Sequence, residues 1–185
     1  RRTPRWRRLV AEWHALPLVA LPSRSGSTDA PILPRPVGAA RLPKEISMTT
    51  ELMFRDDAYR RTANGQVVMV YPNAIELDRT IFYPLGGGQL GDAGVVVRSN
   101  GERIAIIDTR KDVARDAVLH FTAVGAAQAE AGETLTLEID WPRRYRLMRL
   151  HTALHVMSCV VAAPVTGGHI APDKARLDFD IDMSL

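Results

Sequence analysis

The stretch from residue 48 to residue 140 alternates short apolar segments with turn signals, which is the pattern of strands without intervening helices. The segments that predict strands are QVVMVYP, AIELDRTIFYP, VVVR, RIAIID, AVLHFTAV and TLTLEID. Ser99, Asn100 and Gly101 supply a turn that joins VVVR to RIAIID as a hairpin. Five or six short strands in succession predict a small β-barrel or a β-sandwich.

The pattern changes at Trp141, where apolar residues begin to recur every three or four positions, as they do on one face of a helix. These apolar positions are Leu147, Leu150, Leu154, Met157 and Val161. We expect Asp140 to cap this helix and Pro164, followed by a glycine pair, to end it. The segment KARLDFDID beyond it alternates as a strand does. The sequence therefore predicts an α+β chain, with a β domain over 48–140 and an α+β domain over 141–185.

Residues 1–47 differ from the rest in composition. They hold nine Lys and Arg against three acidic residues, and seven of the 12 prolines of the chain, without a helical or strand period. Residues 48–185 hold fifteen basic and eighteen acidic residues, so the net charge of +3 comes from this extension. We expect an unfolded basic extension. It fits an organelle transit peptide, a disordered arm that helps to hold RNA, or a mis-called gene start with Met48 as the first residue.

The cysteine count and the lengths of the apolar runs indicate in which cellular compartment the protein is expected. A single cysteine, Cys159, excludes an intramolecular disulfide and fits a reducing environment. Each long apolar stretch is broken by Pro, Gly or charge well short of the roughly 20 residues that span a bilayer. These features predict a soluble, cytoplasmic protein.

Two histidines stand four residues apart on the predicted helix. His151 and His155 therefore lie on one helical face, where two imidazoles can reach one metal ion, although a solvated or buried pair has the same spacing. Cys159 lies about 12 Å along the helix from His151, too far to share that ion, and is expected to be a small buried residue. His169, in the TGGHI loop, is a possible third ligand. Thr152 stands where a zinc protease of the HExxH type has its glutamate, which excludes that class.

A second motif is the glycine-rich stretch TIFYPLGGGQLGDAG, residues 80–94. Its glycines let the backbone lie close against another surface, and a tight barrel corner accounts for them as well. The stretch lacks a Walker lysine and no helix follows it, which argues against a nucleotide-binding loop. The stretch also contains three polar residues, Thr80, Gln89 and Asp92. Their presence indicates that the stretch has a functional role in addition to a structural one.

Together, TIFYPLGGGQLGDAG and RLHTALHVM, about 60 residues apart, resemble the paired motifs of the AlaX family of alanyl-tRNA editing proteins. This family is related to the editing domain of alanyl-tRNA synthetase. The resemblance runs from about Met53 to the end of the chain. It implies a small glycine-rich β-barrel domain followed by the first part of an α+β tRNA-synthetase editing domain, which threonyl-tRNA synthetases share.

The resemblance also implies an activity and a cofactor. Family members hydrolyse tRNA(Ala) mischarged with serine or glycine, without ATP, at a site that holds zinc (Zn2+). His151 and His155 correspond to two of the four zinc ligands, and a later CxxxH motif supplies the others. The 185 residues contain no CxxxH, so we expect it to follow Leu185 in a longer chain. Thr80 and Gln89 correspond to the family's Thr and Gln, and are candidates to bond the serine hydroxyl.

A basic cluster opens the predicted helix and is a candidate for contacts with acceptor-stem phosphates. Its members are Arg143, Arg144, Arg146 and Arg149. A solvated helix face is the alternative for each of them. Two hypotheses follow for the chain: a zinc-dependent editing hydrolase that acts in trans, or a truncated, non-catalytic remnant that binds tRNA or a protein.

Overall fold

The computed structural model describes residues 10–14, 49–126 and 129–181. These residues divide into two compact units. The barrel unit comprises residues 49–86 and 91–141, and the helical unit comprises residues 10–14, 87–90 and 142–181. The segment Gly87–Leu90, at the centre of the glycine-rich stretch, thus belongs to the helical unit, whereas the sequence placed the whole stretch in the first domain.

The described secondary structure is mostly strand. In chain order, the strands are β1 Val10–His14, β2 Glu51–Leu52, β3 Thr62–Tyr71, β4 Ala74–Leu77, β5 Arg79–Thr80, β6 Gly94–Val97, β7 Arg103–Asp112, β8 Ala117–Thr122, β9 Thr134–Ile139, β10 Val165–Ile170 and β11 Lys174–Phe179. A 3-10 turn covers Met53–Arg55, and the helix α1 covers Trp141–Val160. Within the described residues, no helix combines the length and the apolar character that crossing a membrane requires.

Six strands close the barrel in the order β3-β4-β8-β7-β6-β9, each pair antiparallel. Alternation of buried and exposed residues is clear at the start of β7, where Ile104 and Ile106 are buried while Arg103 and Ala105 are exposed, whereas all four residues of β4 are buried. The inward residues form one apolar core, which includes Val67, Leu77, Ile81, Phe82, Val96, Leu135 and Leu137. The predicted barrel, followed by the start of an α+β domain, is confirmed.

The segment AIELDRTIFYP, expected as one strand, is divided at Asp78. β4 pairs with β3 and β8 in the barrel, whereas β5 pairs in parallel with β2 in a separate two-stranded sheet. The Asp78 carboxylate accepts a hydrogen bond from the backbone N–H of Gln66 at 2.7 Å and one from Arg79 Nε at 3.2 Å. A side chain thus takes the place of a ladder hydrogen bond, and the strand ends there.

The helical unit packs α1 on a sheet of order β1-β11-β10. Leu147 and Leu154 of the predicted apolar stripe meet Ile170, Ala175 and Phe179 of the sheet in one cluster. The helix begins beside the predicted cap Asp140 and ends four residues before Pro164. β11 confirms the predicted strand KARLDFDID. The TGGHI segment, expected as a loop, is part of β10, because its backbone pairs antiparallel with β11.

Of the extension of residues 1–47, the structure describes only β1, which pairs antiparallel with β11. This short segment is not unfolded, contrary to the expectation for the extension as a whole. The rest of residues 1–47 lies outside the described residues, and its assignment stays a prediction.

Candidate functional site

The glycine tip, residues Gly87–Leu90, docks on β10 through main-chain hydrogen bonds. The Ile170 N–H donates to the Gly88 carbonyl oxygen at 2.7 Å, and the Leu90 N–H donates to the Ile170 carbonyl oxygen at 3.1 Å. Gln89 forms a parallel bridge with Ile170 between these two bonds. The tip is therefore a short extra strand on the edge of β10, which fixes the position of Gln89.

Close approach explains the glycine at position 88. Gly88 has φ 76°, and a Cβ atom there would lie 2.7 Å from the carbonyl oxygen of Gly168. Any side chain would meet both the strained backbone and the opposing main chain. The glycine-rich stretch thus serves close backbone contact, one of the two alternatives that its composition left open.

His151 and His155 stand side by side on α1. Their rings are stacked, with centroids 4.9 Å apart and an angle of 10° between the ring planes. Nδ1 of His151 lies 2.8 Å from Oε1 of Gln89. Burial, together with the charge of the neighbouring His155, lowers the pKa of His151, which favours the neutral ring that a metal ligand requires.

The two histidines face a cavity of about 500 Å³ inside the helical unit. Its lining comprises Gly87, Gly88, His151, Leu154, His155, Ser158, Val165, Thr166, Gly167, Gly168, Ile170 and Leu177. The glycines of the tip and of β10 leave main chain rather than side chains on its wall. The cavity is large enough to accept a small amino acid ester.

The part of the chain that the structure describes contains no group of three or more His, Cys, Asp or Glu residues arranged to hold a metal ion. His169, the possible third ligand, is exposed on β10 and does not join the histidine pair in such a group. Cys159 is exposed, and the expectation that it is buried was wrong. The reason is helical geometry, because Cys159 follows the core-facing Met157 by two positions, which turns it away from the sheet.

Thr80 belongs to the barrel unit, where it is fully buried. Its Oγ1 lies 2.7 Å from Nε2 of His120 and accepts a hydrogen bond from the Phe82 N–H at 3.0 Å. On its other side, Nδ1 of His120 lies 3.3 Å from the carbonyl oxygen of Ile75. The structure places His120 in the barrel core as the partner of Thr80. Thr80 is thus part of a buried chain of hydrogen bonds.

Replacing Thr80 with Val is expected to lower the free energy of unfolding by about 2 kcal/mol, because Val keeps the shape but leaves buried polar groups of His120 and Phe82 without a partner. Urea denaturation followed by circular dichroism measures this loss. Thr80→Ser, which retains the hydroxyl, is the matched control and should lose only about 1 kcal/mol. Equal stability of Thr80→Val and the unaltered chain would contradict the assigned hydrogen bonds.

Asp92, the third polar residue of the motif, also serves the barrel unit. Its carboxylate accepts a hydrogen bond from the Tyr83 N–H at 2.8 Å, and its carbonyl oxygen accepts one from the Thr109 hydroxyl at 2.9 Å. Among the polar residues of the glycine-rich stretch, only Gln89 is held beside the histidine pair by a contact that the structure describes.

The four arginines predicted to contact RNA differ in exposure. Arg149 is exposed, with its guanidinium 5.9 Å from the ring centroid of Tyr145, while Arg143 and Arg146 are half-buried. Arg144 is only 3% exposed, which does not favour a phosphate contact. The RNA-binding role of this cluster stays a prediction.

The fold and motifs agree with the comparisons with known proteins. A family model described as tRNA synthetases class II (A) matches residues 44–143, more than half of the chain. The chain therefore belongs to the family of class II (A) tRNA synthetases. Within that family it is related to AlaX editing proteins and alanine–tRNA ligases, which confirms the resemblance carried by the two motifs.

Three relatives illustrate the relationship. The alanyl-tRNA editing protein AlaX-M of Saccharolobus solfataricus is 36% identical over 137 residues, which cover 72% of this chain and 57% of that protein. An alanine–tRNA ligase of Saccharolobus islandicus is 38% identical over 153 residues, 75% of this chain and 17% of the ligase. The alanine–tRNA ligase of Metallosphaera sedula is 40% identical over 137 residues, 70% of this chain and 15% of the ligase. The chain thus spans less than two thirds of each of these relatives.

Proposed function

We propose that this chain carries part of an alanyl-tRNA editing site, which hydrolyses the ester bond of tRNA(Ala) mischarged with serine or glycine in the cytoplasm and depends on zinc. The observation that carries the proposal is the stacked pair His151 and His155 facing a cavity of about 500 Å³ whose wall includes the glycine tip. The similarity to AlaX-M supports the same activity.

The donor set of the cavity fits zinc in part. Imidazole nitrogen is a common zinc ligand, and zinc sites with protein ligands usually have three or four. His151 and His155 would be two of the ligands of the ion, and the remaining ligands would come from outside the described residues. A zinc ion held there would supply Lewis-acid chemistry, either by polarising the ester carbonyl or by acidifying a water molecule.

The surrounding residues bind and orient the substrate. An amino acid that differs from alanine by a hydroxyl is best selected by a polar group that bonds this hydroxyl, because an apolar pocket discriminates poorly against it. Thr80 and Gln89 are the two candidates. The Thr80 hydroxyl already takes part in two hydrogen bonds in the barrel unit, whereas Gln89 lies beside His151, so we assign substrate contact to Gln89 first.

Arginines of α1 would hold the RNA through its phosphates. Arg149 is the best exposed of the cluster, and the half-buried Arg143 and Arg146 precede it on the helix. Phosphate contacts position the nucleic acid without selecting its sequence, so the identity of tRNA(Ala) would be recognised elsewhere.

The test is deacylation of Ser-tRNA(Ala), Gly-tRNA(Ala) and Ala-tRNA(Ala) by the 185-residue chain, with zinc and with a chelator. Zinc-dependent turnover of the two mischarged substrates would support the proposal, and this turnover should fall by more than about 100-fold in the double variant His151→Ala, His155→Ala, since even an outer-shell partner of a ligand is worth 10- to 100-fold. Val156→Ala is the matched control, because Val156 is exposed on the same helix and is 60% accessible. Equal rates in the double variant and the control would exclude the histidine site.

A second candidate function is a non-catalytic protein that binds tRNA or another protein. It is favoured by one observation, the lack of a third metal ligand within the described residues. This alternative predicts salt-dependent binding of uncharged tRNA(Ala) without deacylation and without a stoichiometric zinc ion. Filter binding and metal analysis on the same preparation distinguish the two functions.

A further inference from the structure

Gln89 is held rigidly against a single nitrogen of His151. Its side chain is almost fully buried, and its backbone is fixed by the bridge to Ile170 and by the main-chain bonds on either side. The glycine at position 88 lets this backbone approach Gly168 closely. The 2.8 Å contact between Gln89 Oε1 and His151 Nδ1 is therefore a built feature of the helical unit, since a flexible surface glutamine would not be held in this way.

The chemistry of the two groups determines where the proton lies. A carboxamide oxygen only accepts hydrogen bonds, and a neutral imidazole carries one N–H and one nitrogen lone pair. A bond from Nδ1 to Oε1 requires the proton on Nδ1, which leaves the lone pair on Nε2. Histidines that bind metals commonly have their second ring nitrogen fixed by an oxygen acceptor in this manner.

We propose that Gln89 is a positioning residue, which holds His151 in the Nδ1–H tautomer and presents the Nε2 lone pair to the ligand of the cavity. The assignment of the Nδ1–H tautomer to His151 depends only on the contact between its Nδ1 and Gln89 Oε1. What Nε2 then binds, a metal ion or the substrate, rests on the proposed function. Gln89 thereby has a role through His151 in addition to any contact with the substrate.

The tautomer is measured directly by long-range 1H–15N correlation spectroscopy of the histidine rings in the metal-free chain at about pH 8, where an ordinary imidazole is neutral. The unaltered chain is expected to show His151 protonated at Nδ1. Gln89→Leu removes the acceptor at similar volume and should shift the ratio of the two tautomers at least about fivefold towards Nε2–H, as the loss of one ordinary hydrogen bond does. His155, in the same spectra, is the internal reference.

Two further variants separate positioning from structure. Gln89→Glu retains an oxygen acceptor at this position and should therefore keep the proton on Nδ1 of His151. Gln66→Leu removes an exposed glutamine of the barrel unit, whose Nε2 bonds the Gly132 carbonyl oxygen, and should leave His151 unchanged. A Nε2–H tautomer in the unaltered chain, or an unchanged tautomer in Gln89→Leu, would overturn the proposal.

Zinc affinity gives a second readout, and it keeps this inference distinct from the proposed function. If zinc binds, Gln89→Leu should weaken it about 10- to 100-fold. Suppose that Gln89→Leu loses the Nδ1–H tautomer while the unaltered chain shows no deacylation. This pair of results would support the positioning role and count against the editing function. Zinc-dependent deacylation with an unchanged tautomer in Gln89→Leu would support the function and count against the positioning role.

Discussion

Gly91→Ala is expected to lower the free energy of unfolding of the barrel unit by at least about 3 kcal/mol. A Cβ atom at Gly91 would collide with the carbonyl oxygen of Thr109, and it would lie 2.9 Å from the Thr109 nitrogen and 2.7 Å from Asp108 Oδ1. The obstacle is largely backbone, which belongs to β7 in the closed barrel and also accepts a hydrogen bond from the Leu85 N–H at 2.8 Å. Thr109 cannot move aside without breaking the pairing of β7 with β8, and the segment that follows Gly91 is tied to β7 by the hydrogen bond from the Thr109 hydroxyl to the Asp92 carbonyl oxygen at 2.9 Å.

Urea denaturation of the full chain, followed by circular dichroism, measures this loss. Gly86→Ala is the matched control from the same glycine-rich stretch, because the nearest atom to its added Cβ, the carbonyl oxygen of Pro84, lies at an ordinary 3.7 Å. Its stability should change by no more than about 0.5 kcal/mol. Similar losses at both positions would mean that flexibility, and not close approach, determines the need for glycine here.

The strands and the helix could be predicted because their signals are local. In β9, and in β7 from Arg103 to Ile106, every second residue is buried, and a period of two is visible in any short window of sequence. Likewise, the spacing of Leu147, Leu154 and Met157 identifies the face of α1 that packs on the sheet. The spacing of His151 and His155 also placed the two rings on one face, and the structure stacks them.

The contacts that build the site could not be predicted from such windows, because they join distant residues. Gln89 and His151 are 62 positions apart, and Thr80 and His120 are 40 apart. The tip around Gln89 leaves the barrel unit to pair with β10, and no periodicity in its glycines indicates a partner strand. The motif resemblance identified Thr80 and Gln89 together, whereas the structure gives the first a hydrogen bond in the barrel core and the second a contact with His151.

Burial of His120 should make the barrel unit sensitive to mild acid. Burial lowers the pKa of His120 from 6.5 to about 4, partly offset by the hydrogen bond with the Ile75 carbonyl oxygen. In the unfolded chain, the His120 ring therefore binds a proton near pH 6.5, whereas in the folded barrel it does so only at about pH 4. Stability contributed by the neutral ring is fully present above the unfolded pKa and is lost as the pH falls from 6.5 to about 4.

The expected loss through His120 is about 3 kcal/mol between about pH 7 and pH 4, from 1.36 kcal/mol for each unit of pKa difference. Urea denaturation at several pH values across this range gives the slope. His120→Gln removes the titrating group and should flatten the slope by about that amount, although the variant is less stable at pH 7. Carboxylates titrate in both proteins and contribute equally to the two slopes. The difference between the slopes therefore gives the contribution of His120 alone.

His169→Gln is the matched control for this slope, because His169 is an exposed histidine of β10 in the helical unit. Its pH dependence should follow that of the unaltered chain. A slope in His120→Gln as steep as in the control would mean that the His120 ring takes up its proton in the folded barrel as readily as in the unfolded chain. The neutral chain of hydrogen bonds from Phe82 through Thr80 and His120 to Ile75 would then be wrong, and with it the account of why Thr80 is buried.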